Sequence, residues 1–190
     1  MSLNLGRMTE DDPRVRRTRT RLRTAVLELA AERDPDSITV AEIAQRAEVN
    51  RATVYVHYRD RDDLVLDAME AAIGELAAEA ARCPYREAGP VPASLVALFE
   101  HVGARAPLYR RMLGPYGSAR FCARLREALV AELRGPFAAG SRPPGHDGVP
   151  PEVHAHYLAG ALVGVVTCWL EEHPPRPAGE IAAFTWSLIR

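Results

Sequence analysis

Apolar residues recur along this chain at three- and four-residue intervals, the spacing that places them on one face of an α-helix. Val26, Leu29 and Ala30 form such a stripe in the first segment, and Leu64 and Ala68 begin another further along. No segment shows the sustained alternation of apolar and polar residues that a half-buried β-strand requires. The pattern therefore predicts an all-α fold.

The 15 prolines divide the chain into helices, because proline interrupts the interior of a helix. A segment rich in glycine and proline, 138–150, predicts a surface loop. Together with the candidate caps, this punctuation predicts about nine helices, with three short ones first and a larger bundle after them. Their expected ranges are roughly 14–33, 40–47, 51–58, 61–82, 93–106, 107–113, 117–137, 151–173 and 178–190.

Two short helices follow each other closely in the segment ITVAEIAQRAEVNRATVYVHYRDRDDL, residues 38–64. Thr39 with Glu42 three residues later forms a capping box for the first, and Asn50 is a suitable cap for the second. Such a pair is a helix-turn-helix, whose second helix enters the major groove of DNA. Five residues of that second helix are expected to point outward: Arg51, Ala52, Thr53, Tyr55 and His57.

The same segment resembles the DNA-binding domain of the TetR family of bacterial transcriptional regulators. The family pattern is matched by Ile43, Ala44, Ala47, Val49, Thr53, Tyr55, His57, Tyr58 and Leu64. Asn50 and Arg61 stand where the family usually has serine and lysine. Glu48 replaces the usual turn glycine, at a cost of about 1 kcal/mol if the backbone is left-handed there. The later sequence GALVGVVTCWLEEHPPRPAGEIAAFTW resembles the family's C-terminal dimerisation region more loosely.

The resemblance implies a division of labour among the outward residues. Arg51 would pair with guanine, while Thr53, Tyr55 and His57 would donate hydrogen bonds to phosphates. Thr39 and Arg61, at helix N-termini, would also lie near phosphates. Two plainer interpretations stay open, since Tyr55 is also suited to core packing and Arg51 to an ordinary surface position.

Charge is unevenly distributed along the chain, although its formal net value is only −1. All 24 basic residues are arginine, and six of them fall between Arg14 and Arg23 without an acidic residue. We expect this arginine-rich segment to act as an arm before the first helix that attracts DNA, or else to form a solvated basic face.

The region after Leu64 is much longer than a dimerisation helix requires, which favours a small-molecule effector pocket. The predicted division is 1–60 for the arm and DNA-binding domain, and 61–190 for the effector-binding and dimerisation domain. The pocket candidates, which equally suit core packing, are Met69, Ile73, Phe99, Val102, Tyr109, Met112, Phe121 and Trp169. The homodimer candidates are Leu158, Leu162, Val165, Val166, Phe184 and Leu188. A two-fold dimer implies a palindromic operator on double-stranded DNA.

Other function classes find little support in the sequence. The three cysteines are widely spaced, and His154 and His156 would point to different faces of a helix, so we expect no metal, no cofactor and no enzyme. The N-terminus lacks the apolar core of a signal peptide, and the apolar run Leu158–Leu170 is shorter than a membrane span, which predicts a cytoplasmic protein. The sequence thus favours a repressor released by a ligand, with a helix-turn-helix protein lacking an effector as the alternative.

Overall fold

The computed structural model describes residues 12–86, 89–115, 117, 119–143 and 145–189. These residues form nine α-helices, one 3₁₀ turn at Pro35–Ser37 and no β-strand, which confirms the all-α prediction. The helices are α1 Pro13–Glu32, α2 Val40–Arg46, α3 Arg51–His57, α4 Arg61–Ala81, α5 Ala93–Ala104, α6 Ala106–Leu113, α7 Ala119–Ala138, α8 Pro151–Glu171 and α9 Ala178–Ile189. The segment before Asp12 and the predicted helix end at Arg190 lie outside the described residues.

The chain divides into two compact units, Met1–Ala71 and Ala72–Arg190. The division falls inside α4, so the first half of that helix belongs to the N-terminal unit. The sequence-based division placed the boundary at the start of this helix, after residue 60.

The first unit is a three-helix arrangement completed by the start of α4. α1 buries an apolar stripe that includes Leu22, Val26 and Leu29, and α2 and α3 contribute Ile43 and Val54 to the same core. Each helix begins at a side chain that bonds to a backbone N–H left free by the first turn. Those caps are Asp12, Thr39, Asn50 and Asp60.

The second unit is held together by aromatic and aliphatic packing. α7 lies along α8, and α5 packs against α9. Phe99 and Trp169 meet edge to face at 5.5 Å between ring centroids, an arrangement that aromatic pairs favour. A Cβ added to Gly103 would lie 3.3 Å from the Trp169 ring, so glycine leaves room for this ring beside α5.

α8 is long and apolar enough to cross a membrane by length and composition alone. However, 44% of its most apolar stretch is buried inside the protein, including Leu158, Leu162 and Trp169. α8 is therefore a core helix of the second unit, as the sequence predicted for the apolar run it contains.

Candidate nucleic-acid interface

The turn between α2 and α3 has the geometry of a Schellman motif, a common ending for an α-helix. The Val49 N–H donates to the Ala44 carbonyl at 2.9 Å, and the Glu48 N–H donates to the Gln45 carbonyl at 3.1 Å. Glu48 takes the left-handed conformation that this motif requires, with φ of 51°. The residue that departs from the family pattern therefore carries the backbone strain that the sequence predicted.

Val54 is the one residue of α3 that is buried, so this helix exposes most of its surface. Arg51 and Ala52 are exposed, and Tyr55 and Val56 have exposed fractions of 49% and 66%. Thr53 and His57 are half-buried. A short helix that is anchored on one side and open on the other can enter the major groove of DNA.

Arg51 and Tyr55 face each other across one turn of α3. The Arg51 Nη2 donates to the Tyr55 Oη at 3.4 Å, and the guanidinium carbon lies 6.0 Å from the centre of the tyrosine ring. Residues four apart are neighbours on a helix surface, and a cation over an aromatic face is weakly attracted. Tyr55 is therefore not a core residue, and it restricts the positions that the Arg51 guanidinium can take.

His57, at the end of α3, is half-buried. Burial, and then the charge of Arg19, lower its pKa from the ordinary value of 6.5. Arg19 itself lies over the Tyr58 ring at 5.3 Å, so α1 packs close to the end of α3.

A partly buried polar network fixes the end of α3 against its neighbours. Asp67 on α4 accepts two hydrogen bonds from Arg23 on α1, at 2.7 and 2.8 Å, and a third from the Tyr58 hydroxyl at 2.5 Å. Burial opposes the charge of Asp67, but these hydrogen bonds outweigh it and lower the pKa of the carboxyl. Burial and the bond to Asp67 raise the pKa of Tyr58. The network joins three helices at one carboxylate and so sets the direction of α3.

Arg61 does not present its guanidinium to solvent as the expected phosphate contact requires. Its Nε donates to the Ile38 carbonyl at 2.8 Å, and its Nη2 donates to the Pro35 carbonyl. The Nη1 also bonds to Asp62 on the next position of α4. Because both carbonyls lie in the link between α1 and α2, Arg61 fastens that link to the start of α4.

Thr39 is exposed, but its hydroxyl is engaged in the predicted capping box. The Glu42 N–H donates to the Thr39 Oγ1 at 3.3 Å, and the hydroxyl donates to the Glu42 carboxylate at 2.7 Å. Hydrogen bonds from Thr39, and then from Arg33, lower the pKa of Glu42 to about 2. A negative charge therefore lies beside Thr39, which makes this position less favourable to a phosphate.

The arginine-rich segment expected before the first helix is part of that helix. α1 begins at Pro13, so all the arginines from Arg14 to Arg23 lie on it. Arg14, Arg16 and Arg17 are exposed. Arg21 bonds to the carbonyl and the carboxylate of Glu48, at 3.3 and 3.1 Å, which places this part of α1 beside the turn before α3.

Comparison with known proteins agrees with this geometry. The model of the family "Bacterial regulatory proteins, tetR family" matches residues 22–68, which span α1 to the first half of α4. This part of the chain is therefore similar to the TetR family. The matched residues include α2, the turn after it and α3, which are the elements of the helix-turn-helix.

One curated relative of this chain is the uncharacterized HTH-type transcriptional regulator YxbF of Bacillus subtilis (strain 168), which is 25% identical over 174 residues. The alignment covers 86% of this chain and 43% of YxbF, so the chain spans less than half the length of that relative.

Solved structures show the same fold. A tetR-family transcriptional regulator from Streptomyces coelicolor is 23% identical with a TM-score of 0.63, covering 92% of this chain and 79% of that one. FadR from Bacillus subtilis in complex with stearoyl-CoA is 15% identical with a TM-score of 0.62, covering 90% and 96%.

The predicted pocket residues are all buried, but they do not surround one described cavity. Met69 belongs to the first unit, whereas the others belong to the second. A cavity of about 10 Å³ in the second unit is instead lined by Leu76, Leu98, Leu125, Leu129, Leu162, Val163 and Val166. It is entirely aliphatic and has room for about one water molecule.

The predicted dimer residues fall into two groups. Leu158, Leu162 and Val166 are buried within their own chain, so they cannot form the contact surface that was expected of them. Val165 is half-buried, and Phe184 and Leu188 on α9 have exposed fractions of 47% and 73%. The opposite face of α8 is the exposed one, where Val153 and Tyr157 lie.

Two histidines considered as metal ligands lie on different faces of α8, as their spacing indicated. His154 is buried, and its Nδ1 has no hydrogen-bond partner. His156 is exposed and lies 3.3 Å from Glu152.

Sequence reasoning missed Val56 as a surface residue of α3. The signal was present, because Val56 follows the outward residue Ala52 by four positions and so shares its face.

Proposed function

We propose that this chain is a cytoplasmic repressor that binds a palindromic operator as a homodimer and leaves it when a small molecule enters the second unit. The observation that carries the proposal is α3, a helix fixed from behind by the Asp67 network while Arg51 and Tyr55 stay exposed. A recognition helix needs both properties, since its direction must be fixed while its outer face stays open.

Two kinds of DNA contact follow from the exposed residues. Arg51 at the start of α3 can pair with both acceptors of a guanine edge, which reads sequence. Arg14, Arg16 and Arg17 on α1 are exposed and supply attraction to phosphates that does not depend on sequence. Thr53, Tyr55 and His57 remain candidate phosphate donors.

A second copy of the chain is the proposed occupant of the exposed faces of α8 and α9. Val153, Tyr157, Gly160 and Gly164 repeat at helical spacing along one exposed face of α8. A Cβ added to either glycine would meet no atom within 4 Å, so another helix can approach closely there. Phe184 and Leu188 on α9 add exposed apolar surface. A two-fold pairing through such a surface accounts for a palindromic operator.

The aliphatic cavity of the second unit supports an apolar effector. Ligand pockets are commonly about 300–1,000 Å³, far larger than this cavity, so an effector must widen the bundle as it binds. A ligand that prefers the widened state shifts the population away from the state that binds DNA. A coupling of about 1–3 kcal/mol would weaken operator binding roughly 5- to 150-fold. FadR, which has a similar fold, is in complex with stearoyl-CoA, whose stearoyl chain is an apolar group of this kind.

The small size of the same cavity favours a second candidate, a DNA-binding regulator without an effector. Stearoyl-CoA is a suitable first probe in a competition experiment on the selected operator, with Leu129→Trp as a variant that fills the cavity. Release of wild type but not of the variant supports the effector. Operator affinity unchanged by compounds that demonstrably bind the second unit supports the candidate without one.

The proposal is tested by incubating the protein with a random duplex library and sequencing the retained DNA. We expect wild type and the control variant Arg126→Ala, on α7, to enrich the same palindrome. The double variant Arg51→Ala, Tyr55→Ala should enrich none while remaining helical by circular dichroism. Equal enrichment by all three proteins would contradict the assignment of α3 as the recognition helix.

The dimer is tested separately by sedimentation. Leu188→Glu places a charge on the exposed face of α9 and should convert the dimer into a monomer. Leu66→Glu, at an exposed leucine of α4, is the matched control and should leave the dimer intact. A Leu188→Glu protein that stays dimeric would place the contact surface elsewhere.

A further inference from the structure

The exposed face of α3 carries two parallel stripes of different chemistry. Arg51 and Tyr55 form a polar stripe, joined by the 3.4 Å contact between Nη2 and Oη. Ala52 and Val56 form an apolar stripe beside it, also four residues apart. Val56 is 66% exposed, a larger exposed fraction than that of Tyr55.

Single apolar residues on a protein surface are ordinary and need no explanation. The position of Val56 is different, because it lies beside Arg51 and Tyr55 on the exposed face of the helix proposed above to enter the major groove. A valine there is desolvated when the helix enters the groove, so the chemistry that meets it decides whether its burial is favourable.

The major groove offers one apolar group on its floor, the C5-methyl of thymine. Guanine, cytosine and adenine present donors and acceptors there, which would be left without partners against a valine. The Ala52 and Val56 positions lie about 6 Å apart along the helix axis, which corresponds to roughly two base-pair steps. The stripe is therefore long enough to meet methyl groups on neighbouring base pairs.

We propose that Ala52 and Val56 form a contact surface for thymine methyl groups, so that each half-site of the operator contains thymine beside the guanine that Arg51 reads. This inference rests on the proposed function, since it names the base chemistry that the recognition helix selects. Val56 is then a specificity-determining residue. Its contribution comes from apolar contact with the thymine methyl group and not from a hydrogen bond.

The experiment removes that methyl group from DNA without changing any hydrogen bond. Deoxyuridine replaces each thymine of the selected operator in turn, and the affinity of the whole protein for each duplex is measured at fixed salt. We expect one or two positions per half-site where the change weakens binding about threefold to fivefold, the factor for one buried methyl group. Positions outside the α3 footprint should show no change.

The protein side of the test uses Val56→Ser, which removes both methyl groups of the side chain and leaves a hydroxyl. This variant should lose the discrimination between thymine and deoxyuridine at the position that Val56 contacts, while a position contacted by Ala52 keeps it. Leu66→Ala removes an exposed apolar side chain from α4 and is the matched control, which should discriminate as wild type does. Because Val56 is exposed, its replacement leaves the core of the first unit unchanged.

The outcomes separate the two proposals. If wild type enriches no sequence, the proposed function is overturned and the inference with it. If a palindrome is enriched but deoxyuridine has no effect anywhere, or if Val56→Ser discriminates at every position as strongly as wild type, only the thymine-methyl contact is overturned. A methyl effect that disappears at one position in Val56→Ser supports both proposals.

Discussion

In the first unit, arginines on several helices bond to carboxylates and to backbone carbonyls, as Arg23 does to Asp67 and Arg61 does to Pro35 and Ile38. In the second unit Arg110 also bonds to a backbone carbonyl, that of Leu170, but the ion pairs lie mostly on the surface and the helices meet through side chains such as Phe99 and Trp169. Polar bonds fix direction, while apolar packing depends mainly on filled volume. The unit proposed to aim a helix at DNA therefore has a shared carboxylate where its helices meet, whereas the unit proposed to open around an effector is joined mainly by apolar packing.

The largest effect should come from truncating the apolar core of the second unit. Leu133 is fully buried on α7, so Leu133→Ala should lower the free energy of unfolding by about 2–5 kcal/mol, with little dependence on salt. Chemical denaturation followed by circular dichroism measures this. Leu66→Ala, at an exposed leucine, should change stability by much less, and equal losses would contradict the difference in packing.

Removing the charge at the centre of the first unit's network should cost somewhat less. Asp67→Asn keeps the shape of the side chain but weakens the bonds from Arg23 and Tyr58, and we expect a loss of about 1–3 kcal/mol. High salt should reduce the difference in unfolding free energy between the variant and wild type, because the Arg23–Asp67 pair is only partly buried. Glu127→Gln breaks an exposed pair with Arg124 and should change stability by less than about 0.5 kcal/mol. A similar loss of stability in Asp67→Asn and Glu127→Gln would mean that the network contributes no more than an exposed ion pair.

Arg61→Ala tests whether Arg61 stabilises the fold or contacts a DNA phosphate. Loss of its bonds to two backbone carbonyls should lower stability by about 1–2 kcal/mol. Arg59→Ala removes a guanidinium that is 85% exposed and should have little effect on the melting temperature. An Arg61→Ala protein that melts normally but shows a weaker salt dependence of DNA binding would restore the phosphate contact predicted from the sequence.

Mild acid should destabilise the second unit through His154. Burial, and then the charges of His146 and Arg142, lower its pKa from 6.5, so it binds fewer protons in the folded state than in the unfolded state. Stability should therefore fall as the pH drops below about 6.5. His154→Phe should reduce that fall in melting temperature between pH 7.5 and 5.5. His156→Phe, at the exposed neighbour, should leave it unchanged, and the opposite pattern would reject His154 as the source.

The smallest effect is a gain in stability at the turn before α3. Glu48→Gly relieves the left-handed strain at φ of 51° and loses an exposed ion pair with Arg21, for an expected net gain of about 0.5–1 kcal/mol. Glu48→Ala loses the same ion pair but keeps the strain, so it should show no gain. A thermal melt compares the three proteins, and equal stability of the glycine and alanine variants would mean that strain is not released there.

The sequence predicted the helices and their caps well, because a cap such as Thr39 with Glu42 depends on residues three positions apart. It did not predict the role of Arg61, whose carbonyl partners lie 23 and 26 residues earlier. Three of the six dimer candidates, Leu158, Leu162 and Val166, lie on the face of α8 that is buried within its own chain. A helix that is apolar on both faces gives no signal to tell the side facing its own chain, with Leu158, from the side that is exposed, with Tyr157.

The bond from the Trp186 indole to the Gly89 carbonyl joins residues 97 positions apart. During synthesis at about 5–20 residues per second, roughly 5–20 s separate these two residues at the ribosome. Every contact of the first unit is available before that interval ends, whereas the packing of α5 on α9 must wait for it. We therefore expect the helix-turn-helix to be folded while the unit proposed to pair two copies and to respond to an effector is still incomplete.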